Sequence, residues 1–135
     1  MSETFNNHTF SVCAYKESKY LEECIKSLMI QTVKSNIVIA TSTPNEYIYN
    51  IAKKYNLEVF VNPDKKGIGY DWNFAVKSSR TDFVTVAHQD DIYSKNYTEE
   101  IKKQIEKIPD IVMLFTNHKE IRNRGSCKNE LQFKN

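Results

Sequence analysis

Apolar positions along the chain alternate between short compact runs and stretches where they recur every three or four residues. The compact runs are Phe10 to Ala14, Ile37 to Ala40, Glu58 to Val61, Phe83 to Ala87 and Ile111 to Phe115, and each predicts a strand. Leu21, Cys24, Ile25, Leu28 and Met29 form one helical stripe, with Ser18 as the expected N-cap. After Pro44 and Asn45, Ile48, Ile51, Ala52 and Tyr55 mark a second helix. Trp72, Ala75 and Val76 predict the inner face of a third. A fourth carries Tyr97, Ile101, Ile105 and Ile108, opened by Asn96 and Glu99 at capping-box spacing and closed by Pro109.

Strands alternating with amphipathic helices predict an α/β domain with a mainly parallel sheet flanked by helices. Residues 1–9 read as a polar N-terminal tail, 10–120 as the domain, and 121–135 as a polar tail with little periodicity or as the start of a further half. A length of 135 residues is about one domain's worth of sequence. A net charge of +2 with both signs interspersed gives no electrostatic footprint for nucleic acid. Cys13, Cys24 and Cys127 are odd in number and form no CxxC pair, which points to a reducing, cytoplasmic setting rather than a disulfide framework. No apolar run approaches the ~18 residues that a membrane span needs.

In an open parallel sheet, ligands bind beyond the carboxyl ends of the strands. Those ends are Ala14-Tyr15-Lys16, Thr41-Ser42-Thr43, Asn62-Pro63-Asp64 and His88-Gln89-Asp90-Asp91. Two adjacent carboxylates are costly to hold together without a counter-charge, and a hard divalent cation sharing phosphate oxygens is the natural partner. The plainer reading is that Asp90 and Asp91 favour a turn and the start of the next helix. Lys65 and Lys66, in a Lys-Lys-Gly-Ile-Gly loop without Walker spacing, read as a solvated turn or as a diphosphate contact. Trp72 reads as core by its helical spacing, with ligand stacking as the other option.

The run Phe83-Val-Thr-Val-Ala-His-Gln-Asp-Asp-Ile-Tyr93 resembles the strand and DXD segment of family 2 glycosyltransferases. The stretch from Phe10 to Thr32 is similar to the family's opening strand, aromatic turn and first helix ending in Gln-Thr. Asn73 and Ala75 match an Asn and a small residue ahead of the DXD strand. The resemblance covers residues 10 to 120 in the family's order and implies a Rossmann-like GT-A fold.

The resemblance also implies roles. Tyr15 matches the aromatic that packs on the nucleotide base, against the alternative of a partly buried loop residue. Asp90 matches the carboxylate that binds Mn²⁺ or Mg²⁺ between the two phosphates, and Asp91 matches a residue that steadies the loop. His88 stands where the family has the first acid, so it is a second candidate metal ligand or, with Gln89, a sugar contact. Thr41 and Ser42 stand where the family has a carboxylate reading the base, leaving hydroxyls for that task. Asn73 completes the expected nucleotide-sugar contacts. The implied partners are a UDP-sugar donor and a glycan acceptor, in polysaccharide assembly, with the chain cytoplasmic or peripheral to the inner face of the membrane.

The implied activity is transfer, with inversion, of a sugar from a nucleotide-diphosphate donor to an acceptor. The family's base lies well downstream in an acceptor-binding half, so the expectation is a truncated domain supplying the donor-binding half and inactive alone. An alternative is a non-catalytic nucleotide- or metal-binding module on the same fold, favoured by His88 and by the missing acid after the second strand. A flavodoxin- or receiver-like domain is disfavoured, because Ala14-Tyr15-Lys16 supplies no acid at the first strand's end.

Overall fold

The computed structural model describes residues 3–64, 67–108 and 110–111, with four further short strands near the C-terminus. The chain divides into two compact units, Met1–Glu99 and Glu100–Asn135. The first unit contains β1 (Glu3–Ala14), α1 (Leu21–Met29), β2 (Val33–Thr41), α2 (Glu46–Lys54), β3 (Glu58–Val61), α3 (Ile68–Lys77) and β4 (Phe83–His88). Helix α4 (Tyr97–Lys107) begins at its end.

The four strands form one parallel sheet in the order β3-β2-β1-β4. Parallel crossovers are right-handed, so α1 and α2, which step outward from β1, cover one face. The connection through α3 steps back past β1 and lands on the other. This reversal makes the gap between β1 and β4 the topological switch point.

Side chains alternate across β1. Phe10, Val12 and Ala14 face α1 and α2 and pack with Leu21, Cys24, Ile25, Leu28, Ile39, Ile48 and Ala87 in one buried cluster. The predicted stripe of α1 is therefore its buried stripe, although Met29 at its end is exposed. Thr9, Ser11 and Cys13 point to the opposite face, under α3. These small polar side chains explain why α3 turns inward Asp71, Phe74, Ala75 and Ser78, spaced i, i+3, i+4 and i+7, rather than the predicted Trp72 and Val76. Ile68, Trp72 and Val76, four residues apart, form an exposed stripe instead.

Other boundaries differ for identifiable reasons. The first strand begins at Glu3, not Phe10. Its polar His8 and Thr9 are nonetheless buried, because Ser35, Thr85 and Thr81 supply hydroxyl partners. The second strand runs from Val33, a longer element than Ile37 to Ala40, and a register shift between Thr4 and Thr9 accommodates it. Tyr20, not Ser18, is the N-cap of α1; Ser18 instead accepts from the Tyr20 N–H at its hydroxyl and from the Leu21 N–H at its carbonyl. Helix α2 is capped by Asn45, whose side chain accepts from the Ile48 N–H at 2.8 Å. Asn56, in the left-handed region with φ 55°, ends that helix and lets the Leu57 N–H reach the Ala52 carbonyl.

The second unit contains α4 from Glu100 onward and two antiparallel strand pairs. Strand β5 (Phe115–Thr116) pairs with β8 (Phe133–Lys134), and β6 (Ile121–Arg122) pairs with β7 (Ser126–Cys127). The expected strand Ile111 to Phe115 is thus corrected: Ile111 lies outside any strand, 112–114 lie outside the described residues, and β5 begins only at Phe115. It belongs to a two-stranded antiparallel sheet, not to the parallel one. The stretch expected to be an irregular tail holds three short strands, since paired backbone groups need no apolar periodicity to satisfy one another.

Candidate functional site

The carboxyl ends of β1 and β4 lie side by side, with Cys13 registered opposite His88. Past them, the chain must leave the sheet while its backbone polar groups still find partners. Gln89 solves this for both strands at once. The Tyr15 N–H donates to Gln89 Oε1 at 2.9 Å, and Gln89 Nε2 donates to the Tyr15 carbonyl at 3.2 Å. A side-chain amide thereby continues the ladder one step beyond the strands. Tyr15 itself leaves its ring about half exposed, with the Lys16 ammonium 5.1 Å from the ring centroid.

The end of β2 is laced to this loop. Lys16 adopts a left-handed φ of 54° and its N–H donates to Thr43 Oγ1 at 2.7 Å. Asn45 Nδ2 donates to the Lys16 carbonyl at 2.9 Å. The Thr41 hydroxyl accepts from the Thr43 N–H at 3.0 Å and is taken up internally. The buried Ser42 hydroxyl has no hydrogen-bond partner among the described residues.

The acidic turn rests on α1. The His88 carbonyl accepts from the Asp91 N–H at 3.0 Å and from the Cys24 thiol at 3.4 Å. Ser27 Oγ accepts from the Tyr93 N–H at 3.0 Å, and buried Gln31 donates to the Ser94 carbonyl at 2.6 Å. Gln31 Oε1 also accepts from the Thr98 N–H in the first turn of α4, while the Asn96 amide oxygen takes the Ser94 hydroxyl. Cys24 and Ser27, at i and i+3 on α1, together with Gln31 just past its end, grip the segment from His88 to Thr98. Asp90 and Asp91 are both exposed on this supported turn.

Two residues of α3 complete the arrangement. The Trp72 indole lies 5.1 Å from the His88 ring, tilted by 53°, and remains 45% exposed. Asp71 sits near Cys13; burial first, and then the Asp71 charge, push that thiol up to about 11. One Asp71 carboxylate oxygen is buried with no hydrogen-bond partner among the described residues. Helix α3 is entered through Gly67 at φ 136°, a conformation that side chains resist.

Tyr15, Gln89, His88 and Asp90 are thus gathered at the switch point, with Thr41 and Ser42 on the adjoining strand end. Asn73 is exposed on α3, roughly 100° around the helix from Trp72. Lys65 and Lys66 lie outside the described residues. Asp71 and the Cys24-Ser27-Gln31 row were not apparent from the sequence. Their signal was present as hydrogen-bonding side chains on the inward stripes of α1 and α3 and just past the end of α1.

Among the described residues, no three His, Cys, Asp or Glu side chains form a ready-made metal cage. Asp90, an exposed hard oxygen donor, fits the looser arrangement in which one or two carboxylates share a cation with phosphate oxygens.

A parallel sheet of this order, with an acidic turn and an exposed aromatic at its switch point, defines a Rossmann-like α/β domain of the GT-A type. The profile of Glycosyl transferase family 2 matches residues 9–133, and the chain belongs to that family. No curated protein matches the sequence significantly. Membership implies a nucleotide-sugar donor and an acceptor. No helix among the described residues is long and apolar enough to cross a membrane.

Proposed function

We propose that this chain binds a nucleotide-diphosphate sugar, a UDP-sugar foremost, across the carboxyl ends of β2, β1 and β4, and transfers the sugar with inversion to a glycan acceptor. The observation that carries the reading is the switch-point pairing of the exposed Tyr15 ring with the supported Asp90 turn through Gln89. The Tyr15 ring offers a flat face to the base, and the Ser42 hydroxyl, without a hydrogen-bond partner among the described residues, a hydrogen bond to its edge. Asp90 would hold Mn²⁺ or Mg²⁺, with His88 as a second ligand or a sugar contact and Asp91 steadying the turn. When bound, that cation supplies charge neutralisation for a departing diphosphate. Lys65 and Lys66 are the proposed diphosphate contacts, Asn73 a further donor contact, and polysaccharide assembly in the cytoplasm or at the inner membrane face the setting.

Calorimetric titration of UDP with and without Mn²⁺ tests the reading. Mn²⁺ should strengthen UDP binding, and Asp90→Asn should remove that gain. Metal-dependent binding that survives Asp90→Asn unchanged would place the cation elsewhere and sink the assignment.

A second reading, a binding module without turnover, is favoured by His88 standing where the family has an acid. UDP binding without release of sugar from any UDP-sugar and acceptor would support it.

A further inference from the structure

A half-exposed tryptophan is an expensive thing to leave on a helix whose inward stripe is made of other residues. Trp72 holds such a position, with its indole against His88 at the end of β4. The residue beside it, Asp71, keeps one buried carboxylate oxygen without a hydrogen-bond partner among the described residues. Leaving a buried acceptor unsatisfied costs free energy that a ligand donor can recover.

The two features ask for one kind of ligand. A flat aromatic face matches an apolar surface, and an adjacent carboxylate matches hydroxyl donors. A pyranose carries both, with C–H bonds on one face and hydroxyls around its rim. A phosphate or an acidic sugar meets repulsion from Asp71. A nucleobase has the separate Tyr15 ring at the end of β1.

We propose that Trp72, Asp71 and His88 form a subsite for a neutral hexose, with the ring face on Trp72 and a hydroxyl donating to Asp71. This rests on the donor-binding reading above and adds the class of sugar: neutral in preference to uronic acid.

The test uses the fact that Trp72 is the sole tryptophan of the chain, so indole emission reports on this ring alone. In Mg²⁺, which does not quench fluorescence, the chain is titrated with UDP, UDP-glucose, UDP-galactose, UDP-N-acetylglucosamine and UDP-glucuronate. Emission and calorimetry are followed together. At least one neutral UDP-hexose should shift Trp72 emission and bind about tenfold more tightly than UDP, which leaves emission unchanged. UDP-glucuronate should gain nothing over UDP in wild type and gain affinity in Asp71→Asn. Trp72→Ala should weaken the neutral UDP-hexose about tenfold more than it weakens UDP. Emission that responds equally to UDP, or equal losses in Trp72→Ala, would put the ring on the nucleotide and overturn the subsite. UDP binding with no gain from any neutral hexose defeats the subsite alone, whereas absence of UDP binding to the wild-type chain defeats the donor reading beneath it.

Discussion

The side-chain amide of Gln89 is bound along both its edges to the backbone of Tyr15, accepting from its N–H at 2.9 Å and donating to its carbonyl at 3.2 Å. On the proposed reading, Gln89 acts on the donor chiefly through Tyr15. It sets where the exposed ring stands relative to the turn carrying Asp90.

Gln89→Leu should consequently weaken UDP binding without touching UDP. Two exposed hydrogen bonds at ~1 kcal/mol each correspond to a loss of at most roughly thirtyfold in affinity. Calorimetry checks the affinity and thermal unfolding checks the fold. A loss equal to that of Tyr15→Ala, with no further loss in the double variant, is the expected pattern of two residues acting as one.

His88→Asp should raise Mn²⁺ affinity. It places a carboxylate two residues before Asp90 on a turn already held by α1, and added ligand charge tightens a hard-cation site. An increase of about tenfold in Mn²⁺ binding, read by electron paramagnetic resonance of the free ion, is expected. Unchanged affinity would mean that position 88 points away from the cation.

Gln31→Leu should cost on the order of 3 kcal/mol of stability, measured by urea unfolding. The amide is buried and donates to Ser27 and Ser94 carbonyls while accepting from the Thr98 N–H. Leucine fills the space but leaves the Ser94 carbonyl and the Thr98 N–H without this partner. A loss below ~1 kcal/mol would show that the turn re-pairs without Gln31.

Acid should loosen the fold before the carboxylates titrate. Burial lowers His8 to about 4 from its ordinary value of 6.5, and its ring lies between the Ser35 and Thr85 hydroxyls at 2.8 Å each. Its folded value is depressed, so the stability it permits is present above pH 6.5 and falls as pH drops from 6.5 through 4. The full loss is on the order of 3 kcal/mol. Glu22, lowered by hydrogen bonds from Lys54 and Tyr55, adds its own loss only at more acidic pH, as it protonates. Unfolding series at stepped pH should show a slope between 6.5 and 4.5 that His8→Gln abolishes.

Much of the fold was legible because its signals are local. The stripe of α1, the Pro44-Asn45 entry to α2 and the apolar run of β3 each carry their own period or turn chemistry. What escaped depended on partners far along the chain. His8 and Thr9 look like tail residues until Ser35, Thr81 and Thr85 arrive to satisfy them. Trp72 looks like core until the small side chains of Ser11 and Cys13 beneath α3 turn the helix. At the site, the positions at strand ends followed from topology and resemblance. Asp71 did not, since nothing in its neighbourhood of sequence distinguishes it from any acid in the first turn of a helix.

The Tyr15–Gln89 pair joins residues 74 positions apart, and the loops on either side of it belong to the first and last strands of the sheet. Closing so long a stretch of chain costs entropy that only the assembled sheet returns. The ligand-facing geometry therefore comes into being only with the β1–β4 pairing, and no shorter piece of the unit would carry it. A donor that binds there should protect β1 and β4 amides from hydrogen exchange together, raising the cost of opening the whole sheet rather than quieting one loop.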